Sequence, residues 1–271
     1  NVGFGMSDGV PSAAQDIGLA DQVTFTTEQG AWGGWPVTGV AFGAMSNPTA
    51  ILDAPYQFDF YQGGGLDIAF LGMAQADSAG NVNVSRFGKI LAGCGGFIDI
   101  TQSARKIVFC GTFGVKADVQ VAGGAVDVRD VGSVAKFVNK VEHITFSGQE
   151  ALQRGQKVLF VTERAVFELT AGGVQLIEIA PGVELDKDIL DVMEFRNQPS
   201  IHIWIYNHFL ETVFTEYTPI TRRLKARNTR GIWAITSKIP TTAISSLLTT
   251  ARTPAPRSCL PAQPKNSAAG K

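Results

Sequence analysis

In the larger, amino-terminal part of the chain, apolar residues recur with two spacings, one typical of strands and one typical of helices. The first of these patterns predicts a strand over residues 2–5 and another over residues 22–28. Between them, Asp8 or Ser12 is a candidate cap for a helix that runs through Leu19. Strands that alternate with helices and glycine-rich junctions are typical of an α/β domain.

Further along, the pattern predicts a hairpin, a buried strand and a meander. Residues 66–76 and 82–85 flank a turn at 77–81, where Gly and Asn suit positive φ angles. The apolar run 106–110 predicts a buried strand, and helical spacing predicts a closing helix over 186–195. Three consecutive strands predict an antiparallel meander: residues 157–162, 165–170 and 174–179. We therefore predict an α/β fold with a mostly parallel sheet, helices on both faces and this meander.

Charge divides the chain into two parts. Residues 1–196 hold 13 Lys and Arg against 22 Asp and Glu, a net charge of −9, whereas residues 197–271 hold 10 against 2, a net charge of +8. We predict a folded domain over 1–196 and a basic Ser/Thr/Pro-rich tail over 197–271 that is non-homologous or poorly ordered. Three interpretations of the tail stay open: a frame-shifted or misassembled reading, a genuine basic extension, and an unusual terminal domain. Its basic run at 222–227 is more typical of a solvated segment, so nucleic acid is not an expected partner.

Composition excludes several classes of protein. With 45% hydrophobic and 17% charged residues, the chain has enough apolar surface for a substantial core. Its apolar runs are far shorter than the ~20 residues that cross a bilayer, so we expect no membrane association and a cytoplasmic protein. Three cysteines without paired spacing and three histidines predict neither a disulfide framework nor a metal site.

Two glycine-rich loops carry the candidate chemistry. Glu28 ends the strand predicted over 22–28 and opens the turn 29–34, a position where α/β folds keep reactive groups. The second loop follows the segment 80–85 and comprises Gly93, Cys94, Gly95, Gly96 and Phe97. Cys94 is an alternative nucleophile, but no histidine lies near it in the sequence, and such a cysteine is usually inert packing.

The order of these loops, an E-x-G turn followed by a G-x-G-G-F loop, resembles the carboxyl-terminal half of the family I coenzyme A transferases of the acetate, propionate and acetoacetate type. The resemblance covers roughly residues 1–196 and includes the segments 3–11 and 63–67. It implies a carboxyl-terminal catalytic domain with the α/β fold of the CoA-transferase (NagB/RpiA-like) type. It also implies an amino-terminal half of similar fold, fused or present as a separate α subunit. Because the chain opens at Asn1 in a strand-like segment, we expect it to start within a longer protein.

The resemblance implies that CoA passes from a short-chain acyl-CoA to a carboxylate in ping-pong steps, through a glutamyl-CoA thioester on Glu28. Consecutive glycines offer backbone N–H groups to a tetrahedral oxyanion, so Gly95 and Gly96 are the candidate donors. The remaining candidates for substrate or CoA contacts are Gly30, Asn81, Asn83, Gly93 and Phe97. The resemblance points to the 80–85 segment without choosing between its two asparagines. CoA is expected as substrate and covalent intermediate, with no permanently bound cofactor or metal.

The expected partners are a short-chain acyl-CoA, a carboxylate and the absent amino-terminal half, in a homo- or hetero-oligomer. Two alternative functions stay open beside a third, weak interpretation in which the basic tail binds nucleic acid. The first is an inactive or truncated β half that only docks to its partner. The second is an acyl-CoA hydrolase, or a sugar-phosphate isomerase, on the same general fold. A hydrolase uses Glu28 as a base for water, whereas a transferase uses it as a nucleophile.

Overall fold

A computed structural model describes residues 1–195 of the chain. The tail predicted over 197–271 therefore lies outside the described residues. The α-helices of the described part are α1 (Val10–Asp16), α2 (Ala54–Phe60), α3 (Phe97–Ser103) and α4 (Gly148–Gln153). Its shorter helical turns are of the 3₁₀ type at Met6–Gly9, Ala20–Gln22 and Gly39–Ala41, and of the π type at Tyr61–Gly65 and Leu185–Leu190. Within residues 1–195 no helix has the length and apolar character needed to cross a membrane.

Most strands of the described part contain only two or three residues. In chain order they are β1 (Ala31–Trp32), β2 (Trp35–Pro36), β3 (Met45–Ser46), β4 (Ala50–Ile51), β5 (Ile68–Gly72), β6 (Gln75–Asp77), β7 (Val82–Asn83), β8 (Arg86–Phe87), β9 (Ile90–Leu91), β10 (Lys106–Cys110), β11 (Gly114–Val115), β12 (Asp118–Ala122), β13 (Ala125–Asp130), β14 (Val134–Ala135), β15 (Phe137–Val138), β16 (Lys157–Val161), β17 (Ala165–Thr170) and β18 (Gly173–Ile179). The short strands pair into small two- and three-stranded ribbons around one larger sheet.

Five strands form this central sheet, in the order β18-β17-β16-β10-β5. Strand β10 pairs in parallel with β5 on one side and with β16 on the other, and its Val108 lies between Phe70 and Leu159. Strands β16, β17 and β18 pair in antiparallel fashion. The predicted α/β fold, the buried strand at 106–110 and the meander are therefore confirmed. The parallel part of the sheet is the β5–β10–β16 portion.

Successive residues of a strand point to opposite sides of the sheet, so the sheet has two apolar faces. Helices cover both of them. Ile107 and Phe109 of β10 pack in one core cluster with residues of α3 and α4. Val108 and Cys110 pack in the other cluster with residues of α1. The prediction of helices on both faces is confirmed. Since β5 and β10 are parallel, their carboxyl ends lie at the same edge, which is where α/β sheets usually bind ligands.

The amino-terminal helix is shorter than predicted and begins differently. It follows Gly9 as N-cap, and no side-chain hydrogen bond from the predicted Asp8 or Ser12 caps it. It ends because Gly18 adopts the left-handed conformation, with φ of 71°. The N–H of Leu19 then donates back into the last turn, to a carbonyl five residues earlier, at 2.8 Å. These bonds close the helix before the predicted end.

The two strands predicted near the amino terminus are reduced to isolated bridges. Val2 pairs in parallel with Phe70, and Thr26 pairs in antiparallel fashion with Trp32. The N–H of Val2 also donates to the carbonyl of Thr26 at 3.1 Å, so both segments extend the sheet edge beyond β5. Regular pairing stops after Thr26 because the chain enters the turn that contains Glu28.

Elsewhere the predictions hold in part. The hairpin around 77–81 is confirmed as β6 and β7, although β5 and β6 are separate strands rather than one strand over 66–76. The closing helix is one π-helical turn, because the chain beyond it bonds to another segment: the N–H of Glu194 donates to the carbonyl of Phe137 at 3.0 Å. The sequence patterns did not predict α4 or the β12–β13 hairpin.

Candidate active site

Glu28 lies in a tight turn that follows Thr27. The N–H of Gly30 donates to the carbonyl of Thr27 at 3.1 Å, and the N–H of Thr27 donates to the carbonyl of Ala31 at 3.1 Å. The chain therefore reverses within five residues and presents the Glu28 side chain at the turn. This side chain is half-buried, and its burial raises the pKa of the carboxyl above the ordinary value. A partly dehydrated carboxylate is a stronger nucleophile than a fully solvated one, provided that it is ionised.

Four buried polar side chains hold the backbone immediately before this turn: Thr26, Thr27, Gln57 and Tyr61. The hydroxyl of Thr27 donates to the carbonyl of Gly43 at 2.9 Å. Gln57 Nε2 donates to the Thr27 carbonyl at 3.2 Å and to the Tyr61 hydroxyl at 2.6 Å. That hydroxyl lies 2.9 Å from Thr26 Oγ1. The position of the turn is thus set from within the core, by the first part of the helical segment that begins with α2.

The second glycine loop lies directly against the Glu28 carboxylate. A Cβ atom on Gly96 would lie 2.7 Å from Glu28 Oε2 and 2.6 Å from a ring carbon of Phe58, and one on Gly95 would lie 3.9 Å from Glu28 Oε1. The backbone of Gly95 has φ of 51°, and Gly96 immediately precedes α3. The amide N–H groups of these two glycines donate to no acceptor within residues 1–195. The fold therefore brings together the two motifs that the sequence singled out.

Three other predicted residues lie around this pair. Gly30 is buried with φ of 107°, and a Cβ there would overlap the carbonyl of Leu52, so this glycine closes the turn. Gly93 is exposed at the start of the second loop, with φ of 83°. Phe97 begins α3, borders the cavity described below and stacks on Phe109 with ring centroids 5.8 Å apart. Of the three, Phe97 is the one whose side chain can contact a ligand.

Asn81 and Asn83 do not line the cavity. Asn81 Nδ2 donates to Asp77 at 3.0 Å, and its Oδ1 accepts from the N–H of Gly148 at 3.1 Å. Asn83 Nδ2 donates to Gln75 and to the carbonyl of Arg86, while its Oδ1 accepts two backbone N–H groups. The geometry therefore assigns both amides to the hairpin and its following loop, and a contact between either amide and substrate stays a prediction.

Glu28 opens onto a cavity of about 450 Å³ at the edge of the central sheet. Three segments supply most of its wall: residues 2–6, 71–74 and 110–112. The last two include the carboxyl ends of β5 and β10, the edge at which parallel strands present ligand sites. The wall is mainly aliphatic and aromatic, and its charged side chains are Glu28 and Lys136. This is the size and character typical of a small-molecule pocket.

Two thiols also face the cavity, in different states. Cys94 is partly exposed in the glycine loop. Cys110 is fully buried at the end of β10, and burial raises the pKa of its thiol to about 12. A thiol with so high a pKa is not a nucleophile at neutral pH. Within residues 1–195 no group of three His, Cys, Asp or Glu side chains is arranged to hold a metal ion.

Sequence reasoning missed most of the cavity wall. The segment 110–112 could have been identified, because it begins at the end of the apolar run that predicts a buried strand over 106–110. The segment 71–74 lies inside the strand predicted over 66–76, so its place at a strand end was not predicted. Lys136 had no such signal, since it comes just before a strand of two residues, β15, that has no periodicity of its own. Gln57 and Tyr61 lie in the aromatic-rich segment 56–61, and nothing in its sequence pattern indicates that it supports Glu28.

The carboxyl edge of the central α/β sheet thus presents a half-buried glutamate, glycine amides without acceptors within residues 1–195, and an apolar cavity. Comparison with known proteins identifies relatives of this chain. The chain is 49% identical over 196 residues to acetate CoA-transferase YdiF of Escherichia coli O157:H7, and 46% identical over 200 residues to caffeate CoA-transferase of Acetobacterium woodii. The match covers 72% of this chain in both cases, but only 37% and 38% of the two relatives. A scan of protein families finds none whose profile matches the chain.

Solved structures agree with this relationship. The crystal structure of the YdiF acyl-CoA transferase apoenzyme from Escherichia coli O157:H7 superposes with a TM-score of 0.70 and 46% sequence identity. The superposition covers 75% of this chain and 39% of that enzyme. A thioester complex of the same enzyme with CoA matches equally well, with a TM-score of 0.70. The resemblance to the family I coenzyme A transferases is therefore confirmed, and the chain is homologous to somewhat over one third of these enzymes.

Proposed function

We propose that this chain carries the nucleophilic part of a short-chain acyl-CoA:carboxylate CoA-transferase site, with Glu28 as the nucleophile. The observation that supports this most directly is the contact between the Glu28 carboxylate and the glycine loop. A Cβ on Gly96 would lie 2.7 Å from Glu28 Oε2 and one on Gly95 would lie 3.9 Å from Oε1, and the amides of both glycines are unused within residues 1–195. An acyl group on Glu28 would therefore form beside backbone donors, which a tetrahedral oxyanion requires.

In the first half-reaction, a Glu28 carboxylate oxygen attacks the thioester carbonyl of the acyl-CoA. The carbon–sulfur bond breaks, CoA leaves as a thiolate, and a mixed anhydride joins the acyl group to Glu28. The thiolate then attacks the glutamyl carbonyl carbon of this anhydride. The acid leaves as a carboxylate, and Glu28 is left as the CoA thioester. A second carboxylate reverses these steps, so the kinetics are ping-pong.

The surroundings of Glu28 meet two requirements of this reaction, the exclusion of water and the stabilisation of an oxyanion. The apolar wall limits the water that can hydrolyse the anhydride or the thioester. The glycine amides stabilise the oxyanion of each tetrahedral intermediate, and loss of one such donor typically costs about 10²–10³ in rate. CoA acts here as a substrate and a covalent intermediate, and the proposal includes no permanently bound cofactor.

The proposal also includes an amino-terminal part that completes the site. The chain spans less than two fifths of the curated relatives that it matches. The remaining length is enough for a second domain that covers the open cavity. We infer an oligomer in which this chain pairs with such a part, in the cytoplasm. Acids in the range from acetate to larger carboxylates are the proposed acceptors, since the relatives are an acetate and a caffeate CoA-transferase.

Mass spectrometry tests the covalent step. The full chain is incubated with acetyl-CoA, alone and with the part of YdiF that it does not match, and its intact mass is recorded before borohydride is added. Borohydride then reduces a glutamyl thioester to the alcohol and releases CoA, so loss of the adduct mass identifies a thioester. We expect a CoA adduct on Glu28 that Glu28→Gln abolishes and that Glu150→Gln, a change at an exposed glutamate on α4, leaves intact.

The other outcomes of this experiment distinguish a transferase from a hydrolase and a complete site from half of one. No adduct even with the supplied part would overturn the assignment of Glu28 as nucleophile. Release of free CoA without any adduct would identify a hydrolase. An adduct that forms only with the supplied part would support the proposal and show that this chain holds half of a site.

A further inference from the structure

Lys136 places a positive charge in the wall of the cavity onto which Glu28 opens. The N–H of Ala76 donates to the carbonyl of Lys136 at 2.8 Å, and β15 then pairs in parallel with β6. The next residue, Phe137, is buried against Phe113 and Phe167 in the core. Because neighbouring residues of a strand point in opposite directions, Lys136 turns away from that aromatic cluster and toward the cavity.

The Lys136 ammonium has no hydrogen-bond or ion-pair partner among residues 1–195. No carboxylate within residues 1–195 lies within 4 Å of it. Burial lowers the pKa of this lysine, and the negative charge of Glu163 opposes the effect. Both Glu163 oxygens already have partners, since they accept from the N–H of Phe113 at 2.8 Å and from Arg164 Nε at 3.1 Å. A partly dehydrated cation without an ion pair favours the binding of an anion beside it.

The chemistry of the cavity restricts which anion this is. Apart from Lys136 and Glu28, the side chains around the cavity are apolar or weakly polar. The charge on Glu28 repels an anion while the glutamate is free, but a glutamyl-CoA thioester is neutral. An acceptor carboxylate that enters after thioester formation therefore meets one positive charge and no opposing negative charge on Glu28.

We propose that Lys136 is a substrate-recognition residue whose ammonium binds the carboxylate of the acid that accepts CoA. This rests on the proposed function of Glu28. The ammonium holds the acid in the cavity onto which Glu28 opens, and a carboxylate oxygen of the bound acid attacks the glutamyl thioester carbonyl. The same pairing holds the departing acid after the reverse step. The apolar wall contacts the hydrocarbon part of the acid. A monocarboxylic acid therefore has a partner for its carboxylate and a partner for its hydrocarbon part.

Binding of propionate to the full chain tests this without turnover. In protein with ¹³C-labelled lysine and the substitution Glu28→Gln, which mimics the neutral thioester, the Lys136 signal is assigned by its loss in Lys136→Arg. Propionate is added at constant ionic strength. We expect a saturable shift of the Lys136 signal and a rise in its pKa, whereas the exposed Lys89 shows neither. We also expect propionate to bind at least ~10-fold more weakly when Glu28 is retained and charged.

Substitutions separate recognition from folding. Lys136→Met is expected to weaken propionate binding by at least ~10-fold, and Lys136→Arg to retain it within ~3-fold, because arginine keeps the charge. Equal binding by Glu28→Gln protein with and without Lys136→Met, or a Lys136 signal that moves no more than that of Lys89, would overturn the proposal. So would succinate binding more than ~10-fold tighter than propionate, because Lys136 would then recognise the second carboxylate of a dicarboxylic acid.

The failure of this inference can be distinguished from the failure of the proposed function. If the Glu28 adduct forms but the KM for propionate is unchanged in Lys136→Met, the transferase assignment stands and the role of Lys136 is wrong. If Lys136 binds propionate but no adduct forms on Glu28 under any condition, the carboxylate site stands and the transferase mechanism is wrong.

Discussion

The carboxylate of Glu28 lies so close to Gly96 that a methyl group on the Gly96 α-carbon would be 2.7 Å from Glu28 Oε2. No side chain other than that of glycine leaves room for the carboxylate at this position. The contact joins two motifs that are 68 positions apart in the sequence, and it explains why a glutamate turn and a glycine loop occur in the same domain.

Replacement of this glycine is therefore expected to slow the chemistry, and it also crowds the ring of Phe58, which would lie 2.6 Å from the new Cβ. Gly96→Ala should lower the rate of glutamyl-CoA formation by about 10²–10³, because the methyl group displaces the carboxylate from the backbone donors. The rate is measured by intact mass after rapid mixing with acetyl-CoA and the complementary part of YdiF. Gly63→Ala is the control, since nothing lies within 4 Å of a Cβ at that position. An unchanged rate in Gly96→Ala would contradict the proposed oxyanion site.

The raised pKa of Glu28 predicts a pH-dependent effect on stability. The folded protein holds this proton more tightly than the unfolded chain, so the charged form destabilises the fold once the pH rises through the folded-state pKa. Below the ordinary value of 4.5 the carboxyl is neutral in both states and the penalty is absent. Glu28→Gln should therefore stabilise the protein at pH 7 by up to ~1 kcal/mol, allowing for solvent screening, or about 2–4 °C in Tm.

Thermal unfolding of both proteins from pH 4 to pH 8 measures this difference. We expect the two Tm values to converge as the pH falls toward 4. A constant difference across the whole range would show that the substitution acts through packing rather than through the charge of Glu28.

The buried hydroxyl of Tyr61 is expected to contribute to stability. It accepts from Gln57 Nε2 at 2.6 Å and lies 2.9 Å from Thr26 Oγ1, so Tyr61→Phe leaves buried polar groups without a partner. The expected loss is about 1–3 kcal/mol in the free energy of unfolding, measured with urea. Tyr56→Phe is the matched control, because Tyr56 is 66% exposed and its loss should stay within ~0.5 kcal/mol. Similar values for both substitutions would mean that the network does not support the turn.

A buried ion pair gives a third prediction about stability. Arg164 is fully buried, and it bonds to Glu163 at 3.1 Å and to the carbonyls of Val131 and Asp188 at 3.0 Å each. Removal of the arginine leaves the Glu163 charge buried without its partner, which typically costs about 3–5 kcal/mol. Arg164→Met should therefore lower the urea midpoint strongly.

The control for the buried pair is an exposed ion pair. Arg129 lies 3.2 Å from Asp127, with both side chains at least half exposed, so Arg129→Met should change the free energy of unfolding by less than ~1 kcal/mol. Equal effects of the two substitutions would indicate that Arg164 contributes only as an exposed pair does.

The secondary structure that could be predicted is the part that depends on local sequence. The run 106–110 is apolar at every position after its lysine, and the meander strands are rich in β-branched and aromatic residues and are bounded by turn residues, so their patterns specify strands without reference to the rest of the chain. The amino-terminal helix was extended too far because the left-handed conformation of Gly18, one of many glycines, is chosen by the bonds that close the last turn.

For the site, the sequence by itself determined the reactive groups: a glutamate before a glycine turn, and consecutive glycines in a later loop. Residue type and spacing are enough for that, because a nucleophile and a closely approaching backbone have strict chemical requirements. Only the tertiary structure decided that Glu28 rests on Gly96, that Gln57 and Tyr61 support its turn, and that Lys136 shares its cavity. These relationships join residues that are distant along the chain, and they arise from the pairing of parallel strands and the packing of buried side chains, which leave no local periodicity in the sequence.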